Sequence, residues 1–124
     1  MPRDPKERPL DDRIRAQHML EAARDAAGMA AGRTRRDLER DMMLRRALVN
    51  AVQEVGEAAA KISPAGRARL AALPWGQIVG MRNRLVHGYD RINLDMLWAV
   101  AAEELPGLIQ GLEAGLAGWP LPAG

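Results

Sequence analysis

The residues of this 124-residue chain best suited to chemistry fall in one stretch, Trp75–Tyr89, which reads WGQIVGMRNRLVHGY. Arg82 offers a permanent cation that suits a phosphate. His87 exchanges protons near neutrality, and Asn83 can orient a histidine by hydrogen bonding. The apolar spacing predicts a helix from Trp75 to about His87, with Gly88 just past its end. On that helix Arg82 and His87, five residues apart, would point about 140° apart, so one helix does not aim both at one point. Asn83 and His87, four apart, would share a face. Tyr89, the sole tyrosine, follows directly. A solvated arginine and a histidine that merely ends a helix would satisfy the same spacing, and the residues alone leave both readings open.

The elements that must position this stretch read as helices. Residues 1–9 are a charged, proline-rich lead-in. From Asp11 to about Ala31 the chain is rich in good helix formers, with Ile14, His18, Ala22 and Met29 able to share a stripe and Gly32 as a stop. Thr34-Arg35-Arg36-Asp37 resembles a capping box, opening a long second helix to about Ile62. Two apolar stripes on it, one through Leu38, Met42, Val49, Val52, Gly56 and Ala59 and one through Leu44, Leu48, Ala51, Val55, Ala58 and Ile62, imply more than one neighbour. Ser63-Pro64 opens a short helix to about Ala72, and Pro74 ends it before the chemical stretch begins. Asn93 caps a last long helix, striped from Leu94 to Leu116, which Pro106 should kink or divide. No alternating strand pattern occurs. The expectation is an all-α bundle of about five helices, three of them long, in one domain over residues 10–117 with an irregular tail at 118–124.

Composition narrows the function further. The absence of cysteine excludes a disulfide scaffold, a thiolate metal site and a Cys nucleophile. Two histidines make a zinc site improbable, and no metal or other cofactor is expected. No apolar run approaches about 18 residues, and the N-terminus lacks an apolar core, so a cytoplasmic protein without a membrane span is expected. Net charge is only +2, but it is unevenly spread. Residues 61–92 carry six bases and one acid, whereas residues 93–124 carry four acids and no base. An anionic partner is expected at the basic middle. With four aromatic residues in all, a stacking platform for single-stranded RNA is not supported.

The segment Arg82-Asn83-Arg84-Leu85-Val86-His87-Gly88-Tyr89 resembles the Arg-x4-His-x-Tyr signature of HepT-like proteins in the HEPN superfamily. HMLEAARDA (18–26), GEAA (56–59), PW (74–75), IVGMRNRLVHGY (78–89), LDMLW (94–98) and ELPGLI (104–109) resemble family segments in the same order, so the likeness spans about residues 10–113. Gly76-Gln77 and Asp90-Arg91 depart from residues that members often carry at the rim of the site. The resemblance implies a HEPN-type helical homodimer with two signatures facing each other across the subunit interface. A shared site of that kind does not need Arg82 and His87 on one helical face. It further implies a metal-independent endoribonuclease, the toxin of a toxin–antitoxin pair. Its antitoxin would be an MntA-type minimal nucleotidyltransferase that transfers AMP from ATP to the motif tyrosine, here Tyr89.

With that implied activity, Arg82 would stabilise the phosphorane and two His87 side chains would divide the acid and base roles, leaving a 2′,3′-cyclic phosphate on a tRNA or mRNA substrate. Asn83 would bond the histidine or the RNA, and Arg84 and Arg91 would contact RNA phosphates or simply remain solvated. A non-catalytic helical subunit that binds a nucleotidyltransferase would use the same motif. Elsewhere, His18 is expected to be structural, at an interface or buried. Gly56 should permit close helix approach, and Glu57 should pair with an arginine of the bundle.

Overall fold

The computed structural model describes residues 9–87 and 91–120, and the side chains of all of these except 9, 10, 86 and 87. Three long helices organise the bundle: α1 (Pro9–Ala30), α3 (Met42–Ala60) and α8 (Leu105–Ala117). The shorter ones are α2 (Arg35–Arg40), α4 (Pro64–Arg69), α5 (Trp75–Val79), α6 (Met81–Leu85) and α7 (Leu94–Ala99). The all-α expectation holds, with one addition. A two-residue antiparallel ladder joins β1 (Val86–His87) to β2 (Arg91–Ile92).

Helix α1 packs between α3 and α8, and its composition explains how. Its buried face is mostly alanine (Ala16, Ala22, Ala23, Ala26 and Ala30), with Met19 and Leu20 as the larger members. Small side chains let two neighbouring helices approach closely. The expected stripe through Ile14 and His18 is displaced, because Ile14 is 44% exposed and His18 lies on the surface. Helix α3 has the two-sided contact its wide apolar surface implies, against α1 on one side and α5 and α6 on the other.

The expected second helix is divided at Asp41, whose backbone is extended (φ −113°, ψ 99°). The Asp41 carboxylate accepts from the Leu44 N–H at 3.0 Å, so it begins α3 where α2 ends. Upstream, the Asp37 carboxylate accepts from the Thr34 N–H at 2.8 Å, as the capping signature predicts. Gly32, at φ 72°, makes the left-handed turn that ends the first helical segment. Ser63 starts α4 and is itself held by buried Asp12, which accepts from the Ser63 N–H at 2.8 Å and its hydroxyl at 2.5 Å.

Pro106 acts through the turn before it. Residues Val100–Glu104 form a π-helical turn in which the Leu105 N–H donates to the Val100 carbonyl. Proline cannot donate to the carbonyl four residues back and its ring crowds that group, and the wider turn accommodates it. Beyond α8, Trp119 is only 5% exposed and packs into the core, with the Arg69 guanidinium 5.2 Å above its ring. Among the described residues no helix is long and apolar enough to cross a membrane.

Candidate active site

Gly56 decides how closely the signature can sit against the bundle. A Cβ there would lie 3.0 Å from the Ile78 carbonyl oxygen and 3.1 Å from the Met81 Cβ. Only glycine lets α3 meet α5 and α6 at this distance without displacing them. Met81 and Leu85, both buried, then anchor α6. This leaves Arg82 and Asn83 on its outer side, both exposed.

The expected helix to His87 stops at Leu85. Gly80 interrupts the run, and the Leu85 carbonyl accepts from the Asn93 N–H at 2.7 Å. The chain continues as β1, with Val86 opposite Ile92 and His87 opposite Arg91. His87 is therefore carried by a strand, and the shared helical face expected for Asn83 and His87 does not exist. The β-ladder instead takes the histidine off the axis of the helix that carries Arg82. Gly88, Tyr89 and Asp90 lie outside the described residues, and with them the helix end expected at Gly88 and the expected acceptor Tyr89.

Arg84 departs from its expected role. Its guanidinium donates to both carboxylate oxygens of Glu104, at 2.9 and 2.7 Å, and its side chain lies against the Met81 and Met96 sulfurs. Hydrogen bonding to Glu104 raises the Arg84 pKa above the ordinary arginine value, against the opposing effect of burial. A guanidinium committed in this bidentate way is a strut between α6 and the π-helical turn. Arg91, by contrast, is exposed on β2 and available as a cation.

Beside the ladder runs a groove of about 440 Å³ lined by Arg45, Arg46, Val49, Asn50 and Gln53 of α3 and by Ile92 of β2. Apart from Val49, placed on an apolar stripe, the sequence singled out none of these residues, because periodicity does not disclose which part of a helix its neighbours will leave uncovered. A second groove, of about 320 Å³ between α1 and α3, contains His18, Glu57, Arg15 and Lys61 with other charged residues. His18 is thus exposed at a groove and not buried. Glu57 is exposed and makes no ion pair among the described residues, contrary to expectation. Among the described residues no group of three or more His, Asp or Glu is arranged to hold a metal ion.

Arg82 and His87 thus belong to two successive elements, α6 and β1. Comparison with known proteins gives them a context. The family model described as "Ribonuclease HepT-like" matches residues 19–114. A Caldanaerobacter subterraneus subsp. tengcongensis protein named "Putative RNase TTE0752" is 29% identical over 92 residues, covering 74% of this chain and 82% of that protein. "Putative RNase MJ1380" of Methanocaldococcus jannaschii is 30% identical over 95 residues, covering 77% and 87%. "Probable ribonuclease HepT" of Thermococcus cleftensis is 29% identical over 62 residues, covering 50% and 56%. No solved structure matches the chain.

Proposed function

The chain belongs to the HepT-like family, and from that membership we propose that it is an endoribonuclease whose site combines Arg82, Asn83 and His87 from two copies. The observation that carries this reading is an exposed Arg82 on α6 beside a His87 taken onto the β-ladder, both inside the matched residues.

RNA cleavage by phosphate transfer requires a base and an acid. One His87 takes the proton of the 2′-hydroxyl as that oxygen bonds to phosphorus. As the P–O5′ bond breaks, a second protonated histidine supplies the proton to the leaving 5′-oxygen, and a 2′,3′-cyclic phosphate remains. Arg82 stabilises the added negative charge of the phosphorane. A single copy has one signature histidine, and His18 lines a groove that shares no lining residue with the one beside the ladder. In this proposal the second histidine is the His87 of another copy, the facing arrangement that the likeness to HepT-like proteins implies. Met42 and Met43, which the sequence pattern reads as core-filling, are instead 50% and 79% exposed. Asn83 orients the RNA or the histidine of the facing copy, since its own His87 has left the helix.

The same reading makes the protein the toxin of a toxin–antitoxin pair with an MntA-type nucleotidyltransferase. Tyr89 is the proposed acceptor: its phenolic oxygen bonds to the α-phosphorus of ATP as pyrophosphate leaves. The attached AMP places bulk and negative charge beside Arg82 and His87, which excludes RNA.

The test is cleavage of tRNA and mRNA by the purified protein. His87→Ala should lower the rate by roughly 10²- to 10⁴-fold, the range for a lost general acid–base group. A His87→Ala variant as active as the unaltered protein would refute the assignment. Absence of cleavage, together with tight binding to a nucleotidyltransferase, would favour a non-catalytic subunit instead.

A further inference from the structure

Resting on the ribonuclease reading, we propose that the groove between α3 and β2 is a second subsite for single-stranded RNA, holding nucleotides that flank the cleaved phosphate. Its position is the first support. Ile92, which closes the groove, pairs with Val86, and the next pair of the ladder is His87 with Arg91. The wall of the groove is thus the same short ladder that carries the signature histidine.

The lining chemistry is the second support. It holds two arginines, two amides and two apolar side chains, and no carboxylate. Arg45 is already occupied, since its Nη1 donates to the Leu38 carbonyl at 2.7 Å. Arg46 is exposed and has no ion pair among the described residues, so it is the cation that meets a phosphate. Arg46, Val49, Asn50 and Gln53 recur at three- and four-residue steps and share one face over about 10 Å of helix. The Asn50 amide N donates to Glu54 at 3.1 Å, so the Gln53 amide is the groove's other uncommitted polar group. Val49 and Ile92 offer apolar contact to sugars. No aromatic residue lines the groove, so binding through it is governed by the backbone charge, tolerant of sequence and sensitive to salt.

The experiment is binding of a fluorescent 2′-O-methyl oligoribonucleotide, which cannot be cleaved, to the full chain over a range of salt concentrations. Arg46→Glu and the milder Arg46→Ala are compared with the unaltered protein, with helicity and oligomeric state measured for each. Arg46→Ala should weaken binding about fivefold, as for one exposed ionic contact. It should also flatten the plot of log affinity against log salt by about 0.7, the value for one phosphate contact on a single strand. Arg46→Glu should weaken binding more, with helicity and oligomeric state unchanged. Unaltered affinity and salt slope in both variants would overturn the subsite while leaving the nuclease reading intact, and so would loss of self-association without loss of RNA binding. Failure of the unaltered protein to bind the RNA overturns the subsite. Binding that depends on Arg46 without cleavage of ordinary RNA would support the subsite and count against the nuclease.

Discussion

Replacing Arg84 should weaken the fold, and the size of that loss can be reasoned from its surroundings. The Arg84–Glu104 pair is bidentate, with side-chain exposures of 24% and 38%. Fully exposed pairs contribute about 0.2–1 kcal/mol, whereas breaking a buried pair costs about 3–5 kcal/mol through the stranded charge. Glu104, left alone, is still wet enough to be hydrated, so the larger figure does not apply. Good geometry and partial shielding place the coupling at about 1 kcal/mol. Loss of the aliphatic stem between Met81 and Met96 brings Arg84→Ala to roughly 1.5–2 kcal/mol. The assay is urea unfolding of Arg84→Ala, Glu104→Ala and the double variant, closed as a cycle. The Arg84 pKa is raised in the folded state. Its contribution is therefore fully present below the unfolded arginine pKa and is lost only as pH rises through the higher folded value. Arginine titration should thus leave the coupling unchanged between about pH 6 and 9. A coupling below about 0.3 kcal/mol would refute the strut. So would an Arg84→Ala variant of normal stability whose RNA affinity has fallen, which would return Arg84 to the role of phosphate contact.

Two further substitutions probe the frame that holds the site. Asp12→Ala should destabilise by about 2–3 kcal/mol in urea unfolding, because it strands the buried N–H and hydroxyl of Ser63; a loss below about 0.5 kcal/mol would show that water replaces the carboxylate. Gly56→Ala should cost about 1–3 kcal/mol by pushing α5 and α6 away from α3. It should also reduce RNA cleavage more than its effect on folding explains, and normal cleavage at reduced stability would disconnect the helix approach from the site.

The all-α class, the starts at Thr34, Ser63 and Asn93, and the importance of Gly56 were legible in the residues because each rests on local rules. A cap needs one side chain within three residues of its target, and a buried helical face repeats every three or four residues. The same rules hid Asp41, whose carboxylate caps α3 inside what periodicity presents as one continuous helix. They also misplaced the core face of α1, where alanines carry the burial and the larger Ile14 does not.

The site was legible as a list of residues and not as a geometry. Arg82, Asn83 and His87 stood out by type and spacing, and the family likeness ran along most of the chain. Only the tertiary structure decided that His87 leaves the helix, because a two-residue ladder depends on a partner strand and has no period of its own. Only it assigned Arg84 to Glu104, twenty residues away and across the π-helical turn that Pro106 imposes. Sequence thus determined which chemical groups the chain has, since composition and local preference are properties of neighbours. Which of them reach solvent, and which are consumed as struts, depended on contacts between residues far apart in the chain.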